Sequence, residues 1–293
     1  GRNEGRIHQR RDIGRKISLY HARRRVVIFK IMKISLLQID SGDDKDANFR
    51  KAQKYIIEAA EQKSDIICLP EIFLYQGDDR EKKVEKLSSH YIVAFQELAK
   101  TQKVNLILGS ILLIDEPAHK PTNTSLIMNR KGEIIYRYDK KYMYDVERDD
   151  LTYKESDVIQ PGSKIGFFEL DNIKMGVGIC VDLRYPEYFR ELTKKGVEIV
   201  FLPSNFRKVT GQLTWDALTK ARAIENQIYF CACGQTGGIG AEERCGNSRI
   251  LSFDGNIISE IGESEGIVTA DLDLESLREF RKEFPVLKQI KII

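Results

Sequence analysis

Apolar and polar positions alternate in short blocks along most of the chain, and the period of each block predicts its element. Residues 33–39 are a short apolar run that predicts a strand. Residues 46–62 place Ala52, Ile56, Ile57 and Ala60 at helical spacing, which predicts a helix with one buried face. A second buried strand is expected over 66–69, stopping at Pro70-Glu71. One exposed helix is expected over 81–102, with Leu87, Ile92, Phe95 and Leu98 on its inner face. Strands follow over 104–114 and 124–128, and the stretch from Asn129 to Gly132 is a hairpin signal leading into 133–138.

Beyond a polar loop that holds Glu147 and Glu155, Pro161-Gly162 opens a second strand set at 165–170, with a hairpin implied at Asp171-Asn172. The stretch 173–187 is the centre of this half. Met175, Val177 and Ile179 are apolar at every second position, and the glycines between them let another backbone approach, so the segment predicts a buried strand. Cys180 ends it, and Asp182, Arg184 and a helix-starting Pro186 follow. That order resembles a nucleophile elbow, which lifts a reactive atom clear of a sheet. Helices are expected over 186–195, 212–226 and 274–282, and strands over 197–202, 228–233, 248–253, 257–261 and 267–271. So many strands with few, well-spaced helices predict an α/β chain of two sheets packed face to face and covered by helices, rather than one doubly wound sheet.

Composition adds a soluble enzyme-sized body. The chain has 293 residues, 42% apolar and 31% charged, close to ordinary globular usage, and no apolar run approaches the roughly 20 residues of a membrane helix. No Pro/Gly/Ser linker divides residues 32–293, so one domain is expected there. The net charge of +3 is unevenly spread: of 47 basic and 44 acidic residues, ten basic but only two acidic ones, Glu4 and Asp12, fall in residues 1–31. The remainder is acidic overall and has no global reason to seek nucleic acid. The basic arm itself reads as an RNA-binding tail, a targeting peptide, or an upstream extension irrelevant to catalysis, since Met32-Lys-Ile-Ser has the look of a natural start. The third reading is preferred. Five cysteines form an odd set with no convincing secretory signal, which predicts reduced thiols in the cytoplasm. Cys231, Cys233 and Cys245 are weighed as metal ligands, but the spacing favours small buried core residues.

Three reactive side chains come directly after apolar strands: Glu71, Lys140 and Cys180. Strand ends on one edge of a sheet place such groups within a few ångströms of one another. A carboxylate can take a thiol proton and return it to a leaving amine, a lysine can stabilise an oxyanion, and a cysteine can form an acyl intermediate. Taken singly, each has a plainer reading: a packed thiol, a solvated loop acid, a surface cation.

Together with their neighbours they carry a resemblance. Leu-Pro-Glu-Ile-Phe at 69–73, Tyr-Asp-Lys-Lys-Tyr-Met-Tyr-Asp at 138–145 and Gly-Ile-Cys-Val-Asp-Leu-Arg-Tyr-Pro-Glu at 178–187 resemble, in order and spacing, three signature blocks of the nitrilase superfamily of carbon–nitrogen hydrolases. Pro-Ser-Asn-Phe at 203–206, the block at 215–226 and Gly-Asn-Ser at 246–248 extend the similarity from Met32 to about Lys288. The resemblance implies a four-layer αββα sandwich and a Glu-Lys-Cys triad. By position, Glu71 is then the general base and acid, Lys140 rather than Lys141 the oxyanion stabiliser, and Cys180 the nucleophile. It further implies a second glutamate near the substrate, Glu155 in preference to Glu147, and a backbone N–H at Val181 facing the oxyanion. The residues after the cysteine, with Asp-Val-Glu at 145–147, are similar to the Nit-like branch of omega-amidases and deaminated-glutathione amidase. Arg184 then pairs with a substrate carboxylate, or else forms a structural salt bridge with Asp182 or Glu187. Two departures stand out: Tyr142 where the family usually has His, and Asn247 where Gly-His-Ser is common.

The expected activity is hydrolysis of a small amide, a carboxylate-bearing omega-amide, through a Cys180 thioester with release of ammonia. No cofactor or metal is required. The expected partners are the amide substrate and a second copy of the chain, with no membrane and no nucleic acid beyond possible contact through residues 1–31. N-carbamoyl amine hydrolysis and a catalytically silent binding module of the same fold are the alternatives. A papain-like protease needs a histidine beside the thiol, and the chain's four, His8, His21, His90 and His119, lie in the arm, a helix and a polar loop. The pocket is expected to be shaped by loops 72–80, 115–122, 142–160 and 205–212.

Overall fold

Successive side chains of a strand point to opposite faces, and here both faces of the central strands are apolar. The computed structural model describes residues 31–148 and 151–290. In β1 (Ile31–Gln38), β2 (Ile66–Cys68), β4 (Asn105–Leu113) and β5 (Thr122–Met128), one set of positions, Ile34, Leu36, Ile66, Cys68, Ile107 and Ile127, joins a core shared with the second half of the chain. The alternate set, Leu37, Ile67, Leu106, Leu108, Leu126 and Met128, packs with Ala52, Ile56 and Ala59 of α1 (Lys45–Glu61) and Ile92 and Phe95 of α3 (His90–Gln102). A sheet buried in this way must have helices on one side and a second sheet on the other.

The first sheet has seven strands. Its order is β15 (Gly266–Asp273), β1, β2, β4, β5, β6 (Ile134–Asp139), with the short β3 (Val84–Glu85) also pairing with β4. β1, β2 and β4 are mutually parallel, with β1 to β2 register at Ile34↔Ile66, and β15 closes the edge antiparallel at Met32↔Leu272. The second sheet has six strands in the order β14 (Ile257–Glu260), β13 (Arg249–Leu251), β12 (Tyr229–Gly234), β11 (Ile199–Ser204), β10 (Ile173–Val177), β9 (Gly166–Leu170). Helices α4 (Pro186–Lys194), α5 (Lys208–Asn226) and α6 (Leu274–Glu283) contribute Phe189, Leu192, Trp215, Ala223 and Leu277 to the core of this half. The result is the expected sandwich of two sheets between helical layers.

Several local expectations change. The single helix over 81–102 is two helices, α2 (Arg80–Lys83) and α3, because Val84 and Glu85 leave the helix to pair with Leu112 and Leu113. Ser89 then starts α3 afresh as its N-cap, accepting from Ile92 N–H. Leu87 falls in the break and is 40% exposed, not on an inner face. The polar loop after Lys140 holds a hairpin, β7 (Asp145–Arg148) and β8 (Leu151–Lys154), paired at Val146↔Tyr153; its charged strands lack the apolar alternation that marks a strand. The glycines of the central strand admit side chains rather than a backbone: a Cβ on Gly176 would lie 2.9 Å from Leu192 of α4, and one on Gly178 would lie 3.2 Å from Tyr188.

Candidate active site

The three sequence-predicted groups come together, but from two sheets rather than from one edge. Glu71 and Lys140 follow β2 and β6 of the seven-stranded sheet, and Cys180 follows β10 of the other. β2 and β6 run the same way, since two antiparallel pairings separate β6 from β4, so their ends meet at one rim of the sandwich.

Glu71 is placed by close backbone packing. A Cβ on Gly109 of β4 would lie 2.1 Å from both the Leu69 and Pro70 carbonyl oxygens, so only glycine lets the chain cross β4 there. The crossing is tied by Ser110 N–H to Pro70 O at 3.2 Å and Ile72 N–H to Ser110 Oγ at 3.1 Å. Gln235 Nε2 donates to the Glu71 carbonyl at 2.6 Å, and Asn123 Nδ2 donates to its Oε1 at 2.9 Å.

Lys140 is 2% exposed. Its backbone N–H bonds Asn123 O at 2.8 Å and its carbonyl accepts from Gly162 N–H at 2.7 Å. The ammonium donates to Glu71 Oε1 at 2.9 Å and to Glu155 Oε1 and Oε2 at 2.9 and 3.0 Å. Burial alone would push the Lys140 pKa down; the charges of Glu71 and Glu155, with Cys180, outweigh it and hold the group well above its usual value. Glu155 sits just after β8 and is fixed by Tyr144 N–H to Oε2 at 2.6 Å. The hairpin that the sequence reading missed therefore carries Glu155 back over the lysine. Glu147 lies on β7, its side chain 78% exposed and 3.6 Å from Lys154, and does not enter the site.

Cys180 adopts φ of +49° at the start of a 3-10 turn, Cys180–Arg184. A left-handed backbone at a non-glycine residue is the strained turn expected of an elbow. Asp182, fully buried, holds that turn: Oδ2 accepts from Ile179 N–H and from Tyr138 OH, each at 2.7 Å, and Oδ1 accepts from Tyr142 N–H at 3.1 Å. Tyr138 and Tyr142 flank Lys140 in sequence, so one carboxylate clamps the elbow to the lysine segment. Burial pushes the Cys180 thiol well above its ordinary value, the Glu71 charge adds to this, and Lys140 and the Asn205 backbone N–H oppose it.

A cavity of about 440 Å³ opens on these groups and is lined by Glu71, Lys140, Glu155, Cys180, Val181 and Arg184, a size ordinary for small-molecule sites, roughly 300–1,000 Å³. All six predicted site residues therefore share one wall system. Arg184 lies over the Phe206 ring at 5.4 Å, and among the described residues it forms no ion pair with Asp182 or Glu187. The expected loop 115–122 contributes nothing to the lining, whereas the segment from Gln235 to Arg244, which sequence reasoning passed over, contributes Thr236, Glu242 and Arg244. Asn123, Gly109 and Asp182 were also missed as positioning residues; of these only Asp182 lay inside a signature block.

The two departures from the family pattern lie off the cavity lining. Tyr142 stacks on Tyr185 at 3.6 Å, and Asn247 receives the Trp215 indole N–H on its carbonyl at 2.8 Å. Cys231 and Cys233 are buried in β12, the Cys233 thiol donating to Leu37 O and Cys68 O at 3.3 Å, and Cys245 is buried against α5. Among the described residues no three His, Cys, Asp or Glu are grouped to hold a metal ion, and no helix is long and apolar enough to cross a membrane.

Known proteins resemble the chain in sequence and in fold. The chain is 32% identical over 274 residues to an omega-amidase of Saccharomyces cerevisiae, covering 90% of this chain and 94% of the relative. It is 31% identical over 281 residues to a deaminated glutathione amidase of Dictyostelium discoideum, covering 92% and 97%. The crystal structure of Saccharomyces cerevisiae Nit3, described as a member of the nitrilase superfamily, superposes with a TM-score of 0.80 at 30% identity, covering 89% of this chain and 97% of that one. The sequence profile of carbon–nitrogen hydrolases matches residues 33–282, and the chain belongs to that family.

Proposed function

We propose that this chain hydrolyses the amide of a small, carboxylate-bearing substrate through a Cys180 thioester and releases ammonia. The observation that carries the reading is the buried Lys140 ammonium held between Glu71 and Glu155 beside the Cys180 thiol. The relatives named omega-amidase and deaminated glutathione amidase support it.

Glu71 takes the thiol proton as the sulfur attacks the amide carbon, then gives that proton to nitrogen as the C–N bond breaks. This shared duty suits a thiol whose pKa burial keeps high, since the proton need leave only as the new bond forms. Lys140 and the Val181 N–H stabilise the oxyanion, and Glu155 keeps the ammonium aimed. Water then loses a proton to Glu71 as its oxygen bonds the acyl carbon, the C–S bond breaks, and the thiolate takes the proton back. Arg184 meets the substrate carboxylate.

The same reading includes a homo-oligomer and a cytoplasmic, reducing setting. α5 leaves Val209 and Leu213 exposed at 70% and 82%, one helical turn apart, and all five cysteines are unpaired and buried. It also treats residues 1–31 as an extension outside the catalytic domain.

The test is ammonia release from a panel of omega-amides, N-carbamoyl amines and simple nitriles by the full chain and its Cys180→Ala variant. Turnover of an omega-amide that disappears in the variant is expected, together with an acyl adduct on Cys180 seen by mass spectrometry. Turnover of carbamoyl compounds alone would replace the substrate class, and turnover surviving in Cys180→Ala would overturn the mechanism.

A further inference from the structure

The residue after the general base carries a strained backbone. Ile72 adopts φ of +48°, a left-handed conformation that glycine or asparagine enters readily and a β-branched side chain resists. Such a conformation persists only where the surroundings impose it. Here Ser110 Oγ accepts from the Ile72 N–H at 3.1 Å and Gln76 Nε2 donates to its carbonyl at 2.8 Å. Gln235 Nε2 fixes the preceding Glu71 carbonyl at 2.6 Å. Three side chains from three parts of the fold therefore hold the turn.

Packing does not account for an isoleucine at this position. Ile72 is half-buried and joins neither of the two hydrophobic cores, yet it lines the cavity. Both its backbone polar groups are tied into the fold, so what it offers the cavity is its side chain. The same stretch of chain lines the cavity onward through Gln76, Gly77, Asp78 and Lys83, from buried Glu71 to exposed Asp78. Ile72 thus stands at the inner end of this stretch, next to the carboxylate that handles the proton. A side chain branched at Cβ has few rotamers, and on a clamped backbone it cannot swing aside.

We propose that Ile72 is a specificity-determining residue that closes the leaving-group side of the cavity, so that a primary amide is cleaved in preference to the same amide substituted on nitrogen. This deepens the amide hydrolysis proposed above and rests on it. Glu71 gives its proton to the departing nitrogen, so that nitrogen stands beside Glu71 and faces the residue that follows it. A stiff aliphatic wall there leaves room for an unsubstituted nitrogen and overlaps an N-alkyl group, which is discrimination by clash. The backbone strain is then the cost of placing a branched side chain where the turn favours glycine.

The test measures kcat/KM for a primary omega-amide and its N-methyl analogue. Both form the same Cys180 thioester and the same acid, and they differ only in releasing ammonia or methylamine. The wild-type chain should favour the primary amide, and Ile72→Ala and Ile72→Gly should each narrow the ratio about tenfold, the scale of discrimination by one apolar contact. Ile72→Val, equally branched at Cβ, should keep the ratio within about twofold. Thermal unfolding should place Ile72→Gly at or above the wild type, because glycine adopts φ of +48° without strain. A side chain used for packing alone would lose stability on truncation and leave the ratio unmoved. That result, or equal kcat/KM for the two amides in the wild type, would overturn the role of Ile72 while leaving amide hydrolysis standing. In the Cys180→Ala background, calorimetry should show the primary amide binding more tightly than its N-methyl analogue, with the gap narrowed by Ile72→Ala. That binding pattern without turnover of either amide by the wild type would instead sink the proposed activity and keep Ile72 as the wall.

Discussion

Asp182→Asn separates the electrostatic cost of the buried clamp from its structural use. Burial pushes Asp182 up from 3.8 to about 6, so between those values the folded chain binds a proton that the unfolded chain has lost. The folded-state pKa is raised for a carboxylate, and stability therefore falls as pH rises from 3.8 towards 6 and is level above. At 1.36 kcal/mol per pKa unit, the ionised form costs about 3 kcal/mol at pH 7. An asparagine does not ionise and escapes this cost, but its single oxygen serves only one side. With that oxygen on Ile179 N–H and Tyr138 OH, the Tyr142 N–H loses its acceptor, at roughly 1–3 kcal/mol for a buried donor left unpaired. At pH 7 the two effects nearly cancel. The informative quantity is the stability difference, variant minus wild type, from urea unfolding at several pH values. It should move in favour of the variant by about 2 kcal/mol between pH 4.5 and 7. Activity should still drop, on the order of tenfold, because the lost bond lets the lysine segment shift against the elbow. A difference that stays flat across that pH range would refute the assignment of a buried, high-pKa carboxylate to Asp182.

Other changes probe the remaining contacts. Glu155→Gln keeps the shape but removes one of the two charges that hold Lys140, and should lower kcat about 10- to 100-fold, whereas Glu147→Gln, on the exposed hairpin, should leave steady-state kinetics within twofold. Lys140→Met should lower kcat by at least about 10²-fold, the scale of losing one oxyanion donor; ammonia release close to wild type would remove the lysine from the mechanism. Gly109→Ala drives a methyl group into the Leu69 and Pro70 carbonyls, so thermal unfolding should show a loss of about 2 kcal/mol or more along with reduced turnover through a displaced Glu71. Removing residues 1–31 should leave kcat/KM within about twofold, and a large loss would bring the basic arm into the site.

How much of this was legible before the structure depends on the distance over which each residue acts. Two buried faces on each central strand and turns such as Asp171-Asn172, with φ of +53° and +61°, are local matters of side-chain periodicity and backbone preference. Such signals are present in a short window of sequence. So are the three blocks that end in Glu71, Lys140 and Cys180, because a strand end followed by a reactive side chain is a contiguous pattern. The break at Val84 and Glu85 was not legible, since it is made by hydrogen bonds to β4, and neither was the charged hairpin that returns Glu155 to Lys140.

The sequence by itself determined the layers and the family and singled out Glu71, Lys140 and Cys180 as candidates, for these rest on periodicity and on ordered motifs along the chain. Only the tertiary structure decided that Glu155 and not Glu147 faces the lysine, that Asp182 ties the elbow to Tyr138 and Tyr142, that the strand ends come from two sheets, and that Lys83 and Arg244 share a cavity with Cys180. Each of those joins residues 15 to 161 positions apart in the chain, and closeness in space at such separations is set by packing and charge in the folded core, which no local pattern records.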